Sequence, residues 1–209
     1  MIRSFTSRET AELFSGHSIR RVPRDVQRRA LQKLVALHAA VALEEIGRIP
    51  GNRLEKLVGN RRGQYSIRIN DQWRICFSWR EGDAYGVEIA DYHGRKDSMP
   101  RHLPTRQPRV QRKRDIPPVH PGEILKGDFL DPLGMSVNAL SRSIKVPRAR
   151  LNDIVLGRRG VSADTAMRLA RYFGVSEQFW MNLQTHYELE VAKEANGERL
   201  DREIKPRAA

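Results

Sequence analysis

Apolar and polar residues alternate most regularly in the segment GQYSIRINDQWRICF. Within it, apolar side chains stand at every second position from Tyr65 to Ile69 and again from Trp73 onward. Strict alternation of this kind is typical of half-buried β-strands. The dipeptide Asn70-Asp71 between the two runs favours a turn. The segment therefore predicts a β-hairpin.

The two faces of this hairpin determine its register. Residues that are directly opposed in a sheet share a face, so the loop must contain an odd number of residues. We expect Ile69 opposite Trp73 and, on the other face, Arg68 opposite Arg74. Two arginines that face each other on the open side of a sheet repel. Their presence suggests that an anion binds there.

One further strand is predicted on each side of the hairpin. Alternation at Tyr85, Val87 and Ile89 predicts an antiparallel strand after it. Matching the apolar faces gives these expected pairs: Trp79 with Tyr85, Phe77 with Val87, Ile75 with Ile89, and Arg74 with Ala90. A weaker alternation over residues 53–57 predicts a strand that carries Lys56 on its polar side.

Helical periodicity dominates the region before these strands. Apolar residues recur from Val26 to Val41 at the spacing of an amphipathic helix, which we expect over residues 23 to about 40. Its other face is either solvated or in contact with RNA phosphate, and it carries Arg24, Arg28, Arg29 and Lys33. With a shorter helix capped by Ser7, the predicted fold is α+β, two helices packed on one face of a four- or five-stranded antiparallel sheet.

The open face of this sheet brings together a set of residues suited to RNA cleavage. The set comprises Lys56, Arg68, Arg74, Tyr92 and, at the rim, His93. RNA supplies its own nucleophile, the 2′-hydroxyl, so cleavage needs a proton carrier such as histidine and cations that stabilise the phosphorane. Taken singly, His93 could equally be a plain surface histidine, and Lys56 a solvated strand lysine. Strict alternation turns His93 toward the apolar face, so we expect the strand to end or bulge near Asp91.

The charge of the 209-residue chain is +13 and unevenly distributed. Residues 1–96 hold 18 basic against 11 acidic residues, 97–114 hold six against one, and 115–209 hold 14 against 13. A polyanion such as nucleic acid is the natural partner of the first two parts. The alternative is that the positive charge only aids solubility.

The composition argues against several other classes of protein. One cysteine excludes an internal disulfide, and six scattered histidines give no zinc spacing. We therefore expect neither a metal nor a cofactor. No segment approaches the ~20 apolar residues of a membrane helix, and the N-terminal residues lack the apolar core of a signal peptide. These features predict a cytoplasmic protein that does not contact membranes.

Residues 97–114, DSMPRHLPTRQPRVQRKR, predict a linker. They contain three prolines and six basic residues and show no apolar periodicity. Beyond them, apolar spacing and helix-capping serines predict five helices over residues 115–195. The capping residues are Ser136, Ser162 and Ser176. A polar tail is expected over residues 196–209.

A helix, a short turn and a second helix over residues 136–156 match the geometry with which proteins read DNA. Arginine suits guanine and asparagine suits adenine in the major groove. Six residues are candidates for DNA contacts, the first three to bases and the others to phosphates: Arg148, Arg150, Asn152, Lys145, Arg158 and Arg159. The alternative is a helical bundle with solvated arginines.

The first domain resembles a toxin family. Residues 1–96, through PGNRLEKLVGNRRGQYSIRINDQWRICF and DAYGVEIADYH, resemble the HigB branch of the RelE-like toxins. The resemblance implies a metal-independent endoribonuclease that cleaves mRNA on the ribosome. Its active-site pattern corresponds here to Lys56, Arg68, Arg74, Tyr92 and His93. Some relatives have a histidine where this chain has Arg53.

The second domain resembles the matching antitoxin family. Residues 115–195, through HPGEIL and LSRSIKVPRARLNDIVLGRRGVSADTAMRLARYFGVSEQFWMNLQ, resemble the HigA branch of the Xre-type antitoxins. That family implies a homodimer bound to a palindromic operator. We expect a toxin domain (1–96), a linker (97–114), an antitoxin domain (115–195) that represses its own operon, and the polar tail. Inhibition of the toxin would act within one chain or across a dimer, through bulk that prevents entry into the ribosome.

Two other functions stay open at this point. One is a DNA-binding transcriptional repressor whose RelE-like part is a catalytically inert scaffold. The other is a gyrase-poisoning toxin of the ParE type, which lacks this catalytic set. The combination of Arg68, Arg74 and His93 argues against both.

Overall fold

The computed structural model describes residues 1–92, 113–205 and 207. A first domain combines helices with a four-stranded antiparallel sheet, and the described residues of the second domain form helices. The predicted succession of an α+β domain and an all-α helix-turn-helix domain is confirmed. The predicted linker lies outside the described residues up to position 112.

The first domain places its helices on one side of the sheet. Its helices are α1 (Arg8–Phe14), α2 (Arg24–Ala39) and α3 (Leu43–Arg48). Its strands are β1 (Glu55–Lys56), β2 (Gln64–Arg68), β3 (Trp73–Arg80) and β4 (Asp83–Asp91), paired in this order. Parallel bridges from Ile2 to Ala84 and from Phe5 to Val87 attach the N-terminal segment to β4.

Helix α2 supplies much of the core because its apolar residues recur at helical spacing. Ala30, Leu34 and Leu37 are fully buried and share one core with Ile75 and Phe77 of the sheet. This packing fixes which face of the sheet is covered and leaves the opposite face for function.

The predicted register of the β2–β3 hairpin is confirmed. Arg68 pairs with Arg74, and the backbone N–H of Ile69 donates to the carbonyl of Trp73 at 2.9 Å. Both arginines therefore stand on the open face.

The predicted register of β3 and β4 is correct at one end and wrong at the other. Arg74 pairs with Ala90 as predicted, whereas Trp79 pairs with Ala84 and not with Tyr85. The connection between the strands is therefore tighter than the matching of apolar faces suggests.

A two-residue turn and a β-bulge explain the difference. Glu81 and Gly82 both have positive φ, 50° and 80°, as in the type I′ loops that join strands most tightly. The register then shifts between Cys76 and Ser78, next to Gly86 with φ 58°. Such bulges insert one extra residue into a strand, here β4, and restore the predicted pairing beyond it.

The second domain contains five α-helices among its described residues. They are α4 (Pro121–Ile124), α5 (Val137–Ile144), α6 (Arg148–Val155), α7 (Ala163–Phe173) and α8 (Glu177–Glu203). Helix α4 continues into a π-helical segment, Leu125–Leu130, and a 3₁₀ turn, Asp131–Leu133. As predicted, Ser136, Ser162 and Ser176 cap α5, α7 and α8 by accepting backbone N–H bonds.

Helix α8 is longer than predicted. We expect the folded domain to end near residue 195, but α8 continues to Glu203, so the predicted polar tail begins as helix. Arg114, the last residue of the predicted linker, packs against α8 and pairs with Glu190. Within the described parts of the chain, no helix is both long and apolar enough to cross a membrane.

Candidate nucleic-acid interfaces

Arg68 and Arg74, here called the arginine pair, lie side by side on the open sheet face. Arg74 is closely held: Nε donates to the Ser66 hydroxyl at 3.0 Å and a terminal nitrogen donates to the Arg53 carbonyl at 3.3 Å. Its side chain is 11% exposed. Arg53 has φ 45°, a left-handed conformation that is uncommon outside glycine. The Arg74 guanidinium is therefore preorganised before any ligand binds.

Each member of the arginine pair already forms an ion pair with a carboxylate of its own domain. Arg74 pairs with Glu55 at 2.8 Å, and Arg68 pairs with Asp71. These carboxylates offset the repulsion that the sequence predicts for the opposed arginines. The register alone therefore does not require a bound anion.

Tyr92 lies beside Arg74 at the end of β4. The guanidinium carbon is 5.1 Å from the centroid of the tyrosine ring, within cation–π range, and the ring is exposed. Strand β4 ends at Asp91, where we expect it to stop if His93 is to reach the open face. His93 itself lies outside the described residues, so its position on this face stays a prediction.

Lys56 does not share the face of the arginine pair. In β1, Glu55 pairs with Ser66 and Lys56 pairs with Tyr65. Since paired residues share a face, Glu55 stands on the open face and Lys56 on the helix-covered side, exposed at the sheet edge. The predicted placement of Lys56 on the open face is wrong, because alternation over so short a strand did not determine its phase.

The floor of the open face contains residues that sequence reasoning missed. Ser66 is fully buried and holds Arg74; its position two residues before Arg68 could have identified it. Glu55 could not be found without the register of β1. Cys76 is also buried here, and burial raises the pKa of its thiol to about 11, so the thiol is protonated near neutral pH.

Helices α5 and α6 form the predicted helix-turn-helix. Lys145 has φ 56° and ends α5 in the left-handed conformation. The Ser141 hydroxyl donates to the Val146 carbonyl at 2.7 Å and holds the turn. Leu140 and Leu151 are fully buried, so the two helices are fixed relative to each other by the core.

All six residues predicted to contact DNA are exposed: Lys145, Arg148, Arg150, Asn152, Arg158 and Arg159. Arg148 and Asn152 are one turn apart on α6 and share a face. Arg150 lies about 200° around the helix axis from Arg148. The structure thus brings Arg148 and Asn152 together and separates Arg150 from them.

The basic face of α2 contacts the second domain. Lys33 pairs with Asp128 of the π-helical segment, and both side chains are 0% exposed. Arg29 reaches the same carboxylate at 2.7 Å, and the Lys33 ammonium also donates to the Gly51 carbonyl and to Asn52. Burial lowers the pKa of Lys33 to about 8 despite the attraction of Asp128. A solvated or RNA-binding role for this part of α2 is therefore wrong.

Arg28 extends this interface toward the start of α4. Its guanidinium donates to both oxygens of Glu123 and, at 2.6 Å, to the carbonyl of Pro117. Glu123 in turn accepts from the backbone N–H of His120 within a capping box. The N-terminus of α4 is thus tied to the first domain by a residue that also caps the helix.

An aromatic cluster forms the other side of the interface. His186 of α8 lies 5.7 Å from Phe14 and 5.4 Å from His38, measured between ring centroids. Burial lowers the pKa of His38 to about 4 and also lowers that of His186. Both imidazoles are therefore neutral near pH 7. Nearby, the Asn182 side chain donates to the Ala39 carbonyl at 2.8 Å.

The interface and the arginine pair lie on opposite sides of the sheet. The inter-domain contacts given above involve residues 14–52, which form or adjoin the helical layer. The arginine pair stands on the face turned away from that layer. Residues 51–53 connect them, since Gly51 and Asn52 accept hydrogen bonds from Lys33 of the interface and the Arg53 carbonyl accepts one from Arg74.

Two sequence families match the two domains. The family of the RelE-like toxin of type II toxin-antitoxin system HigB matches residues 4–93. A helix-turn-helix family matches residues 128–180.

Named relatives agree with this division. Toxin HigB-1 of Vibrio cholerae is 42% identical over 70 residues, which are 34% of this chain and 74% of that protein. Antitoxin HigA-1 of the same organism is 38% identical over 74 residues, 35% of this chain and 69% of that protein. Virulence-associated protein I of Dichelobacter nodosus is 48% identical over 82 residues, 39% of this chain and 76% of that protein. A solved structure of Pseudomonas aeruginosa antitoxin HigA with the higBA promoter is 52% identical, covers 44% of this chain and 99% of its own, and has a TM-score of 0.43.

With these matches, an α+β domain followed by a helix-turn-helix domain docked on its helices is a type II toxin–antitoxin protein in one chain. The chain belongs to the HigB-like toxin family through its N-terminal domain and to the HigA-type helix-turn-helix antitoxins through its C-terminal domain.

Proposed function

We propose that the N-terminal domain is an endoribonuclease that cleaves ribosome-bound mRNA, and that the C-terminal domain inhibits it and represses its own operon. One observation carries the enzymatic part. Arg68, Arg74 and Tyr92 lie together on the sheet face turned away from the helices of a HigB-like domain. Permanent cations next to an exposed aromatic ring suit a phosphodiester with an unstacked base.

The reaction we infer is attack of the RNA 2′-hydroxyl on the adjacent phosphorus. The new O–P bond forms as the bond to the 5′-oxygen of the next nucleotide breaks. The arginine pair binds the non-bridging oxygens and stabilises the charge of the phosphorane. Tyr92 stacks on a base. His93 carries one of the two protons that move, taken from the 2′-hydroxyl or given to the leaving 5′-oxygen, and water exchanges the other. Lys56, at the sheet edge, contacts phosphate outside the arginine pair.

Inhibition would act through bulk. The second domain docks on α2 and α3 and leaves the arginine pair uncovered among the described residues. A toxin that must enter the ribosome would be excluded by an attached helical domain even with its active face open. This mechanism works within one chain and equally across a dimer in the cytoplasm.

DNA binding would use α6 in the major groove. Arg148 and Asn152 would read bases, and Arg150, Lys145, Arg158 and Arg159 would contact phosphates. A homodimer through the second domain would place two such helices on the half-sites of a palindromic operator. The geometry of α5 and α6 and the helix-turn-helix match support this part.

The enzymatic proposal is tested by expressing residues 1–98 alone and comparing them with the full chain. The wild-type fragment should arrest growth and cut mRNA on purified ribosomes, whereas Arg74→Ala and His93→Ala should do neither. Arg80→Ala removes an exposed arginine from the end of the same strand and is the matched control. A folded wild-type fragment that leaves ribosome-bound mRNA intact would refute the proposal.

The ion pairs of Arg68 and Arg74 favour one alternative. Arginines that already hold Asp71 and Glu55 need no substrate to balance their charge, as expected if the first domain were an inert scaffold of a DNA-binding repressor. In that case the fragment would be harmless, and operator binding by the full chain would be unaffected by Arg74→Ala.

A further inference from the structure

Glu55 and Asp71 differ in kind from the acids that hold the two domains together. Their carboxylates are 51% and 88% exposed, whereas Asp128 is fully buried. Exposed pairs are screened by water and salt and are individually weak. The Glu55 and Asp71 contacts are therefore exchangeable, and Arg74 has further hydrogen bonds that do not depend on them.

Arg74 stays in place without Glu55. Its Nε is bonded to the buried Ser66 hydroxyl and a terminal nitrogen to the Arg53 carbonyl. Tyr92 covers one face of the guanidinium. Release of Glu55 thus uncovers a guanidinium edge that is already oriented for an incoming oxyanion.

Asp71 is likewise not needed for the hairpin loop that contains it. The loop is held by Asn70, whose Oδ1 accepts from the backbone N–H of Gln72 at 3.0 Å and of Trp73 at 2.8 Å. The Asp71 carboxylate instead extends to Arg68. The contact of this carboxylate is thus with the arginine, and the backbone bonds of the turn are accepted by Asn70.

We propose that Glu55 and Asp71 are positioning residues that occupy the phosphate sites of Arg74 and Arg68 in the resting protein and are displaced by substrate RNA. This inference rests on the proposed ribonuclease function and concerns the selectivity of the same site for ribosome-bound RNA over free RNA. The phosphates of the RNA must displace both carboxylates from the arginine pair, so free single-stranded RNA binds weakly. RNA held rigid by the ribosome loses little further entropy on binding and overcomes the exchange more readily.

The test measures RNA binding by the full-length chain. The probe is a single-stranded RNA oligonucleotide with 2′-O-methyl groups, which cannot be cleaved through the 2′-oxygen, and fluorescence anisotropy is followed over a range of salt concentrations. Glu55→Gln and Asp71→Asn should each tighten binding about two- to fivefold at low salt. Each should also steepen the dependence of log K on log salt by up to ~0.7, the contribution of one added phosphate contact to a single strand.

Matched variants separate this effect from net charge. Glu81→Gln removes the same charge from an exposed turn of the same domain, and should leave the salt slope unchanged. Asp71→Glu keeps a carboxylate within reach of Arg68 and should bind RNA like the wild type. The salt slope of the full-length chain is a readout that a purely structural role of Asp71 would not change.

Different results would contradict this inference and the proposed function. If Arg68→Ala and Arg74→Ala abolish RNA binding while Glu55→Gln and Asp71→Asn behave like Glu81→Gln, the carboxylate exchange is wrong and the ribonuclease site stands. If Arg68→Ala and Arg74→Ala change neither binding nor cleavage, both are wrong.

Discussion

Two sets of basic residues on the first domain are neutralised in opposite ways. On α2, Lys33 and Arg29 hold the carboxylate of Asp128, which lies far away in sequence and comes from the other domain. On the sheet, Arg68 and Arg74 hold Asp71 and Glu55 of their own domain. The carboxylate that holds the first set is fully buried, whereas the carboxylates that hold the second set are exposed. The first therefore suits permanent assembly and the second suits exchange with a ligand.

This contrast has an energetic basis. Removing one partner from a buried ion pair leaves an uncompensated charge away from water, which costs about 3–5 kcal/mol. Removing one partner from an exposed pair costs ~0–1 kcal/mol, since water replaces it. An ion pair between a basic residue and a carboxylate thus stabilises the domain interface strongly and the open sheet face only weakly.

The largest expected effect is the loss of Asp128. Asp128→Ala leaves Lys33 buried without its anion, so the free energy of unfolding should fall by about 3–5 kcal/mol in urea denaturation. Asp131→Ala, which removes an exposed acid paired with Lys126 in the same segment, should cost less than ~0.5 kcal/mol. The double variant Lys33→Met/Asp128→Leu should recover most of the loss. Equal effects of the two aspartates would contradict the distinction between the surfaces.

The next effect concerns catalysis. Arg74→Ala should lower cleavage of ribosome-bound mRNA by residues 1–98 about 10²–10³-fold, as expected when a preorganised charge-stabilising donor is removed. Arg80→Ala should stay within about twofold of wild type. A loss of the same size for both arginines would show that general positive charge, and not the fixed guanidinium, accelerates cleavage.

The pH dependence of stability tests the aromatic cluster of the domain interface, which contains His38 and His186. The pKa of His38 is lowered to about 4 by burial, then by His186, the N-terminal amine and Arg3, and is raised slightly by Asp83. The unfolded chain, with an ordinary histidine pKa near 6.5, binds more protons between these values. The free energy of unfolding should therefore fall as pH is lowered from about 6.5 to 4, by at most about 3 kcal/mol for this group.

Comparison of variants isolates that contribution. His38→Gln should flatten the pH dependence in this window, whereas His17→Gln, outside the cluster, should not. Stability would be measured by urea denaturation at each pH. A wild type whose stability is constant from pH 7 to 4 would show that the buried imidazoles are not neutral.

Operator binding concerns a third set of exposed polar and basic residues. Arg148→Ala and Asn152→Ala should each weaken binding of the full chain to DNA from its own promoter by ~1–3 kcal/mol in gel-shift titrations. Arg150→Ala, on the other flank of α6, should reduce the salt dependence and leave sequence preference intact. Arg171→Ala removes an exposed arginine of α7 and serves as the control. Unchanged affinity in Arg148→Ala and Asn152→Ala would exclude α6 as the reading helix.

The sequence predicts local structure here better than it predicts partners. Alternation predicts the hairpin register of Arg68 and Arg74 correctly, because two strands with matched apolar faces leave one solution. It fails for Lys56, since β1 contains two residues and is too short to show an alternation of apolar and polar positions. It also fails for Lys33, because the acid that neutralises it is 95 positions away and its approach depends on how two domains dock.

The smallest expected effect gives the sharpest contrast with Asp128. Asp71→Asn should change the free energy of unfolding by less than ~0.5 kcal/mol, because its carboxylate is 88% exposed and the loop is held by Asn70. Urea denaturation of Asp71→Asn and Asp128→Ala under the same conditions compares their free energies of unfolding. Asn70→Ala, which removes the hydrogen bonds of the loop, should lower the free energy of unfolding more than Asp71→Asn does. If Asp71→Asn instead destabilised the protein by 2 kcal/mol or more, Asp71 would be a structural partner of Arg68. It could then not be displaced cheaply by RNA, and the division between a locked and an exchangeable set of cations would fail.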